Sequence, residues 1–300
     1  MRMHMEECRL CPRNCKVNRN KGQTGYCGAS EELVVARAAL HMWEEPCISG
    51  TSGSGAVFFS GCPMRCKFCQ NYQIAASKRG KAISIERMAQ IFLELQEKGA
   101  ANINLVTPTH YTPHIIEALD IARDNGLHLP IVYNTSGYEK PETLKTLEGY
   151  VDIYLPDFKY MDNVLATEYS NAPDYPEYAK KALKEMVRQT GTLKMDERTG
   201  MALSGVIVRH LVLPGHVKNS KAVLRYLYET YGNHIYISIM NQYTPMPQVR
   251  EYKNLSRKVT KREYEKVMEY ALELGIECGF FQEGDVAEES FIPEFDNEGV

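Results

Sequence analysis

From residue 83 onward the chain alternates between two hydrophobic periods. Residues 84–98 set Ile85, Met88, Ile91, Phe92 and Leu95 on one stripe at helical spacing. Residues 102–106 follow as a short apolar run with turn signals on either side, the pattern of a buried strand. Thr112 and Pro113 then read as an N-cap and a first-turn proline, opening a helix to about residue 125. The same alternation predicts strands at 129–133 and 151–155, a short helix at 141–147 and a helix at 178–189. It continues with a strand at 205–213, a helix at 221–231 and a strand at 235–240. Thr260 and Glu263 have capping-box spacing for a helix to residue 274, and residues 276–281 read as one more strand. Upstream, Ala56-Val57-Phe58-Phe59 is an apolar run of strand length and supplies the first strand of the series.

Strand–helix units in tandem predict an α/β fold with a parallel sheet and helices outside it. Six main strands suit a partial (β/α)6 barrel, with a doubly wound open sheet as the alternative. In both, ligands bind at the carboxyl ends of the strands. The rhythm breaks at Tyr169–Tyr175, a polar and aromatic loop, and at 193–203, which reads as a hairpin around Asp196–Gly200. The expected division is an N-terminal segment at 1–55, a barrel at 56–282 and an acidic tail at 283–300. The tail holds Glu283, Asp285, Glu288, Glu289, Glu294, Asp296 and Glu298 with no Lys or Arg, and its composition predicts a solvated, loosely ordered end.

Charge and composition narrow the function classes. A net charge of −3 gives no general basic footprint for nucleic acid. No apolar run is long enough to span a membrane, and the first residues lack a signal-peptide core. Nine cysteines in such a chain point to metal binding in a reducing compartment, the cytoplasm, rather than to disulfides.

The cysteines fall into two sets. Cys62, Cys66 and Cys69 form a CxxxCxxC run directly after the first strand, where an α/β fold presents its ligands. Three thiolates at this spacing can hold three corners of a cubane [4Fe–4S] cluster, leaving one iron open for a non-protein ligand. A zinc knuckle would need a second CxxC or a His pair nearby, and none follows. Cys8, Cys11, Cys15 and Cys27 form C-x2-C-x3-C-x11-C among glycines, the makings of a closed four-thiolate site. Their spacing leaves zinc and iron–sulfur both open. Metal would supply folding energy to a segment too short for a core of its own.

The CxxxCxxC run, with Phe68 before its third cysteine, resembles the radical S-adenosylmethionine (SAM) superfamily. There the amino and carboxylate groups of SAM chelate the open iron. Residues 60–71, Leu155-Pro156-Asp157-Phe158-Lys159 and 208–215 resemble the glycyl-radical-enzyme activases, such as the pyruvate formate-lyase-activating enzyme, and their uncharacterised relatives. The resemblance implies a radical SAM oxidoreductase that cleaves SAM reductively to a 5′-deoxyadenosyl radical. It also implies a flavodoxin or ferredoxin as electron donor and a glycyl radical enzyme as protein substrate.

The candidate SAM residues are Lys159 and Arg209 for the carboxylate and Asp157, whose counterpart in the activases helps hold a monovalent cation. Asn134 stands where the activases carry a second acid. The Gly-Gly-Glu turn common in the superfamily is replaced by Val106-Thr107-Pro108-Thr109-His110, so Thr107 with its backbone is the candidate for the amine. Gln242, after the sixth strand, is the candidate for ribose or adenine. Cys47, Cys278, His110, His210 and His216 read as structural residues. The rival within the class is another peptide or small-molecule radical substrate; readings from other classes are an RNA-modifying protein and a non-catalytic iron–sulfur electron carrier.

Overall fold

A computed structural model describes residues 3–76, 79–281 and 293–300. Its ten strands are β1 (Leu33–His41), β2 (Ser54–Phe59), β3 (Lys81–Ile83), β4 (Ile103–Val106), β5 (Ile131–Thr135), β6 (Ile153–Pro156), β7 (Lys194–Met195), β8 (Ala202–Leu211), β9 (Tyr236–Met240) and β10 (Gly279–Phe281). The sheet order is β10-β9-β8-β6-β5-β4-β2-β1-β3, with β7 paired to β8. From β2 to β10 the strands on this path are parallel and follow chain order. A doubly wound sheet reverses its order at a switch point. This one does not, so its winding is that of a partial barrel, and the open-sheet alternative falls away.

Strand burial explains why the sequence runs are apolar without a break. On β5, β6 and β8, Tyr133, Tyr154, Val206 and Val208 join the large core packed beneath the helices. Their neighbours Val132, Ile153, Leu155 and Ile207 face the barrel lumen, in a small cluster with Cys47 and Ile48. Strands buried on both faces show no hydrophobic alternation. Cys47 belongs to the short helix Pro46–Ser49, which plugs the floor of the lumen.

Most expected helices form close to their expected positions: Ile85–Glu97, Thr112–Asp124, Tyr175–Thr190, Val217–Tyr231 and Lys261–Leu274. Both hydrogen bonds of the Thr260–Glu263 capping box are present. Three features depart from the sequence reading. Strand β1 pairs antiparallel with β2, so the N-terminal segment extends the sheet. Residues 163–170 form a helix, capped by Asp162, where a polar loop is expected from Tyr169. The C-terminal residues 293–300 are docked rather than loose. The Asn297 and Ala38 amides bond to the carbonyls of Ala36 and Glu298, Arg37 pairs with Asp296 and Glu298, and Phe295 is buried against Phe58. The remainder of the expected acidic tail, up to residue 292, lies outside the described residues.

Candidate active site at the carboxyl ends of the strands

Period two along each strand decides what the lumen contains. The lumen positions of β5 and β6, Val132 and then Ile153 and Leu155, continue upward to Asn134 and Asp157. On β8, Ile207 is followed by Arg209, and on β9 the lumen positions are Ser238 and Met240. The floor is therefore apolar and the upper lumen polar. It opens into a cavity of about 620 Å³. Cys62, Cys66 and Cys69 line this cavity together with Thr107, Asn134, Asp157, Lys159, Arg209 and Gln242. All nine residues singled out for cluster and SAM thus border one space, and no fourth cysteine does among the described residues.

Local backbone chemistry shapes the cysteine loop. Gly61 leaves β2 at φ +90°, and a Cβ there would lie 2.6 Å from the Cys27 carbonyl oxygen. Arg65 turns the loop at φ +52°, and the Cys69 amide bonds back to the Cys66 carbonyl. Ser170 donates its hydroxyl to the Cys66 sulfur at 2.9 Å and is itself bonded to Tyr160 at 2.8 Å. The Lys67 amide bonds to the Tyr169 carbonyl, and its ammonium pairs with the Tyr252 hydroxyl. Phe68 is buried and packs toward Tyr243.

The thiols carry the electrostatic signature of a ligand set. Burial and the neighbouring Cys66 push the Cys62 thiol up to about 11. Burial and the other two thiols raise Cys69 as well, and burial raises Cys66 against the pull of Lys159 and Ser170. Three thiolates are therefore unfavourable here until a cationic core joins them, as an iron cluster does. Among the described residues no three Cys, His, Asp or Glu side chains close on a single metal ion. A cubane does not require that, because each thiolate takes its own iron. The donor set, one buried and two half-buried thiols on one cavity with no fourth among the described residues, fits a cluster with one open corner.

The cationic residues are held differently from one another. Lys159 is bonded to Asp157 and lies within electrostatic reach of all three thiols. Burial works against its charge, yet Asp157 with Cys66 and Tyr175 outweighs it and keeps the ammonium protonated well beyond the usual lysine range. Its amide and the Asp157 carbonyl are both bonded to the Tyr175 hydroxyl. Arg209, expected to reach a ligand carboxylate, is instead clamped by Glu45, at 2.9 and 2.5 Å, and by Glu44. Asn104 donates to Glu44 at 2.8 Å. Burial opposes the charge on Glu45, but Arg209 prevails and holds its carboxyl below the usual range. Glu44, Glu45, Asn104 and Ser170 were not legible as site residues from the sequence. The one available signal was an arginine in an apolar strand, which calls for an acid somewhere.

Thr107 holds φ +59°, costly for a β-branched residue, while its amide bonds to the Asn134 carbonyl at 2.9 Å. Gln242 receives the Gln70 side chain on its carbonyl at 3.2 Å. His110, His210 and His216 stay structural and are not among the residues that line the cavity, whereas His41 is. His110 and His210 bond to the carbonyls of Ser60 and Phe158, and burial lowers them to about 3 and about 4. Both are neutral near pH 7. Cys278 lies just before β10, partly buried.

Among curated proteins the chain is similar to the uncharacterised protein MJ0674 of Methanocaldococcus jannaschii, 28% identical over 89% of this chain and 74% of that one. Among solved structures it is similar to SuiB of Streptococcus suis bound to S-adenosylmethionine, with 14% identity and a TM-score of 0.47, covering 74% of this chain and 45% of that one. A domain of pyruvate-formate lyase-activating enzyme from Bacteroides vulgatus matches at 13% identity and TM-score 0.41, over 61% of this chain and all of that one. The model of the radical SAM superfamily matches residues 56–227, from the first strand of the parallel series into the helix after β8. That match spans more than half of the chain and contains the cysteine loop, so the protein belongs to the radical SAM superfamily.

Proposed function

We propose that the protein cleaves S-adenosylmethionine reductively and aims the resulting radical at a protein or peptide substrate. The observation that carries this is the cavity itself. Three thiols from one loop and a paired lysine line one space large enough for a nucleoside-sized ligand. Cys62, Cys66 and Cys69 would hold a [4Fe–4S] cluster. When bound, the cluster supplies one electron to the SAM sulfonium, whose C5′–S bond breaks to give methionine and a 5′-deoxyadenosyl radical.

The side chains do the rest. Lys159 has three donors, so it can keep Asp157 and still take the SAM carboxylate. Two acids on one arginine leave the Arg209 corner net negative, so Lys159 is the cation we assign to that carboxylate. Arg209 is then a positioning residue that holds the far wall. Thr107 is assigned to the SAM amine, with Asn134, whose carbonyl bonds its amide, beside it. Gln242 is assigned to the ribose or adenine. Ser170 steadies Cys66, and Phe68 with Met64 keeps water from the loop. A flavodoxin or ferredoxin is the electron donor in this reading. The substrate is a glycyl residue of a partner enzyme, by resemblance to the activases. Nine free thiols suit a reducing compartment such as the cytoplasm.

The test is electron paramagnetic resonance of the dithionite-reduced protein with and without SAM. Binding at the open iron should change the spectrum. Lys159→Ala should raise the SAM concentration needed by about 10-fold or more, the value of a charge-assisted hydrogen bond. An identical spectrum with and without SAM, on a fully loaded cluster, would count against the assignment.

A further inference from the structure

A second thiol constellation lies behind the first. Cys8, Cys11 and Cys27 are buried and Cys15 is half-buried. Cys8, Cys11 and Cys27 each lie within electrostatic reach of others of the set. Their segment has no long helix or strand of its own. Its backbone is bent to bring the sulfurs inward. Asn14 and Lys16, on either side of Cys15, hold φ +46° and +56°, and the Lys16 amide bonds to the Cys8 carbonyl. Gly25 leaves room for Cys15, since a Cβ there would lie 2.5 Å from the Cys15 sulfur.

A separate feature points to what these thiols hold. Arg19 is completely buried. Its Nε donates to the Ser30 carbonyl at 2.8 Å and its Nη1 to the His110 carbonyl, but Nη2 is buried with no partner. Among the described residues no carboxylate pairs with it, and its charge acts on Cys8 and Cys27. A buried guanidinium with no counter-charge is strongly unfavourable, and neutral thiols do not offset it. Four thiolates on a metal centre of net negative charge do.

We propose that Cys8, Cys11, Cys15 and Cys27 ligate a second iron–sulfur cluster and that Arg19 is its buried counter-charge. Zinc fits less well. Tetrahedral Zn–S bonds would bring the sulfurs to about 3.8 Å of one another. No three ligand side chains among the described residues close on one ion in that way, either in this set or at Cys62, Cys66 and Cys69. The two loops are also joined directly. The Cys62 amide bonds to the Cys27 carbonyl at 3.3 Å, Arg13 Nε to the Pro63 carbonyl at 2.7 Å, and the Tyr26 hydroxyl to the Met64 carbonyl at 3.3 Å. The second cluster is thus a neighbour of the first. This inference goes beyond the proposed SAM chemistry and does not depend on it.

The experiment is iron and sulfide analysis with electron paramagnetic resonance, on full-length protein purified without oxygen. Wild type should carry roughly eight irons per chain, two cubanes' worth. The triple change Cys62→Ala, Cys66→Ala and Cys69→Ala should halve that and leave a reduced-cluster signal that SAM does not alter. Cys8→Ser with Cys11→Ser should remove that signal and spare the SAM-responsive one. Arg19→Gln should shift the SAM-indifferent cluster to a more negative midpoint, with Arg19→Lys restoring it. If the triple variant misfolds by circular dichroism, the wild-type spectrum decides, since it must contain one SAM-responsive and one SAM-indifferent signal. Zinc in place of the second four irons would overturn the proposal, as would full iron content in the Cys8/Cys11 double variant. Loss of the SAM-responsive signal alone would overturn the SAM assignment and leave this one standing.

Discussion

Glu139→Gln isolates one buried charge and gives it a number. Glu139 is fully buried, and its Oε1 accepts hydroxyl bonds from Thr109, at 2.5 Å, and from Thr135. Its Oε2 is buried without a partner. Burial raises the carboxyl from 4.5 to about 7, against the pull of the two threonines. The unfolded chain gives up this proton near 4.5 and the folded chain keeps it to about 7. The stability tied to this proton is fully present below 4.5 and is lost as pH rises through about 7. The gap corresponds to about 3 kcal/mol, of which about 2.5 kcal/mol falls between about pH 5 and about pH 8. Urea unfolding of wild type and Glu139→Gln at those two pH values measures it. Glutamine leaves a donor unpaired where Oε2 sits, but that cost is the same at both pH values and cancels in the comparison. Wild type should lose about 2.5 kcal/mol more than the variant over this window. An infrared band of the protonated carboxyl, absent in the variant, should disappear with a midpoint near 7. Equal pH slopes in the two proteins, or a midpoint near 4.5, would refute the reasoning.

Three further changes probe the site. Ser170→Ala removes the hydroxyl donated to Cys66 and should lower the midpoint potential of the SAM-loop cluster by on the order of tens of millivolts in a redox titration. Gly61→Ala combines a left-handed backbone with a Cβ against the Cys27 carbonyl. It should cost about 1–3 kcal/mol or more in urea unfolding and reduce iron content at the loop. Arg209→Ala strands Glu44 and Glu45 as buried like charges. It should cost about 3–5 kcal/mol near neutral pH, and much less in acid, where those carboxyls take up protons.

What the sequence disclosed is what depends on near neighbours. The strand–helix rhythm, the Thr260–Glu263 box and the cysteine loop each act within a few residues, and each formed as read. Arg209 shows the limit. Its cost in an apolar strand was visible, but its acids lie 164 and 165 residues away, on the turn after a strand that the sequence reading left unassigned. β1 was missed because its run, Leu33-Val34-Val35-Ala36-Arg37-Ala38-Ala39-Leu40-His41, neither alternates cleanly nor belongs to the strand–helix series. Ser170 was missed because a serine in a polar run is ordinary until the fold brings a sulfur to it. The acidic C-terminus misled for a related reason. Composition describes solvation, whereas docking depends on Arg37 and on a slot beside Phe58 that exist only in the folded chain.

The most direct test of the central claim is 5′-deoxyadenosine formation from SAM by the reconstituted, dithionite-reduced protein, run beside Cys66→Ala. The account predicts product from wild type and none above background from the variant, because Cys66 is one of the three thiols that leave a single iron open to SAM. No product from a wild-type protein whose cluster is loaded and reduced would contradict it.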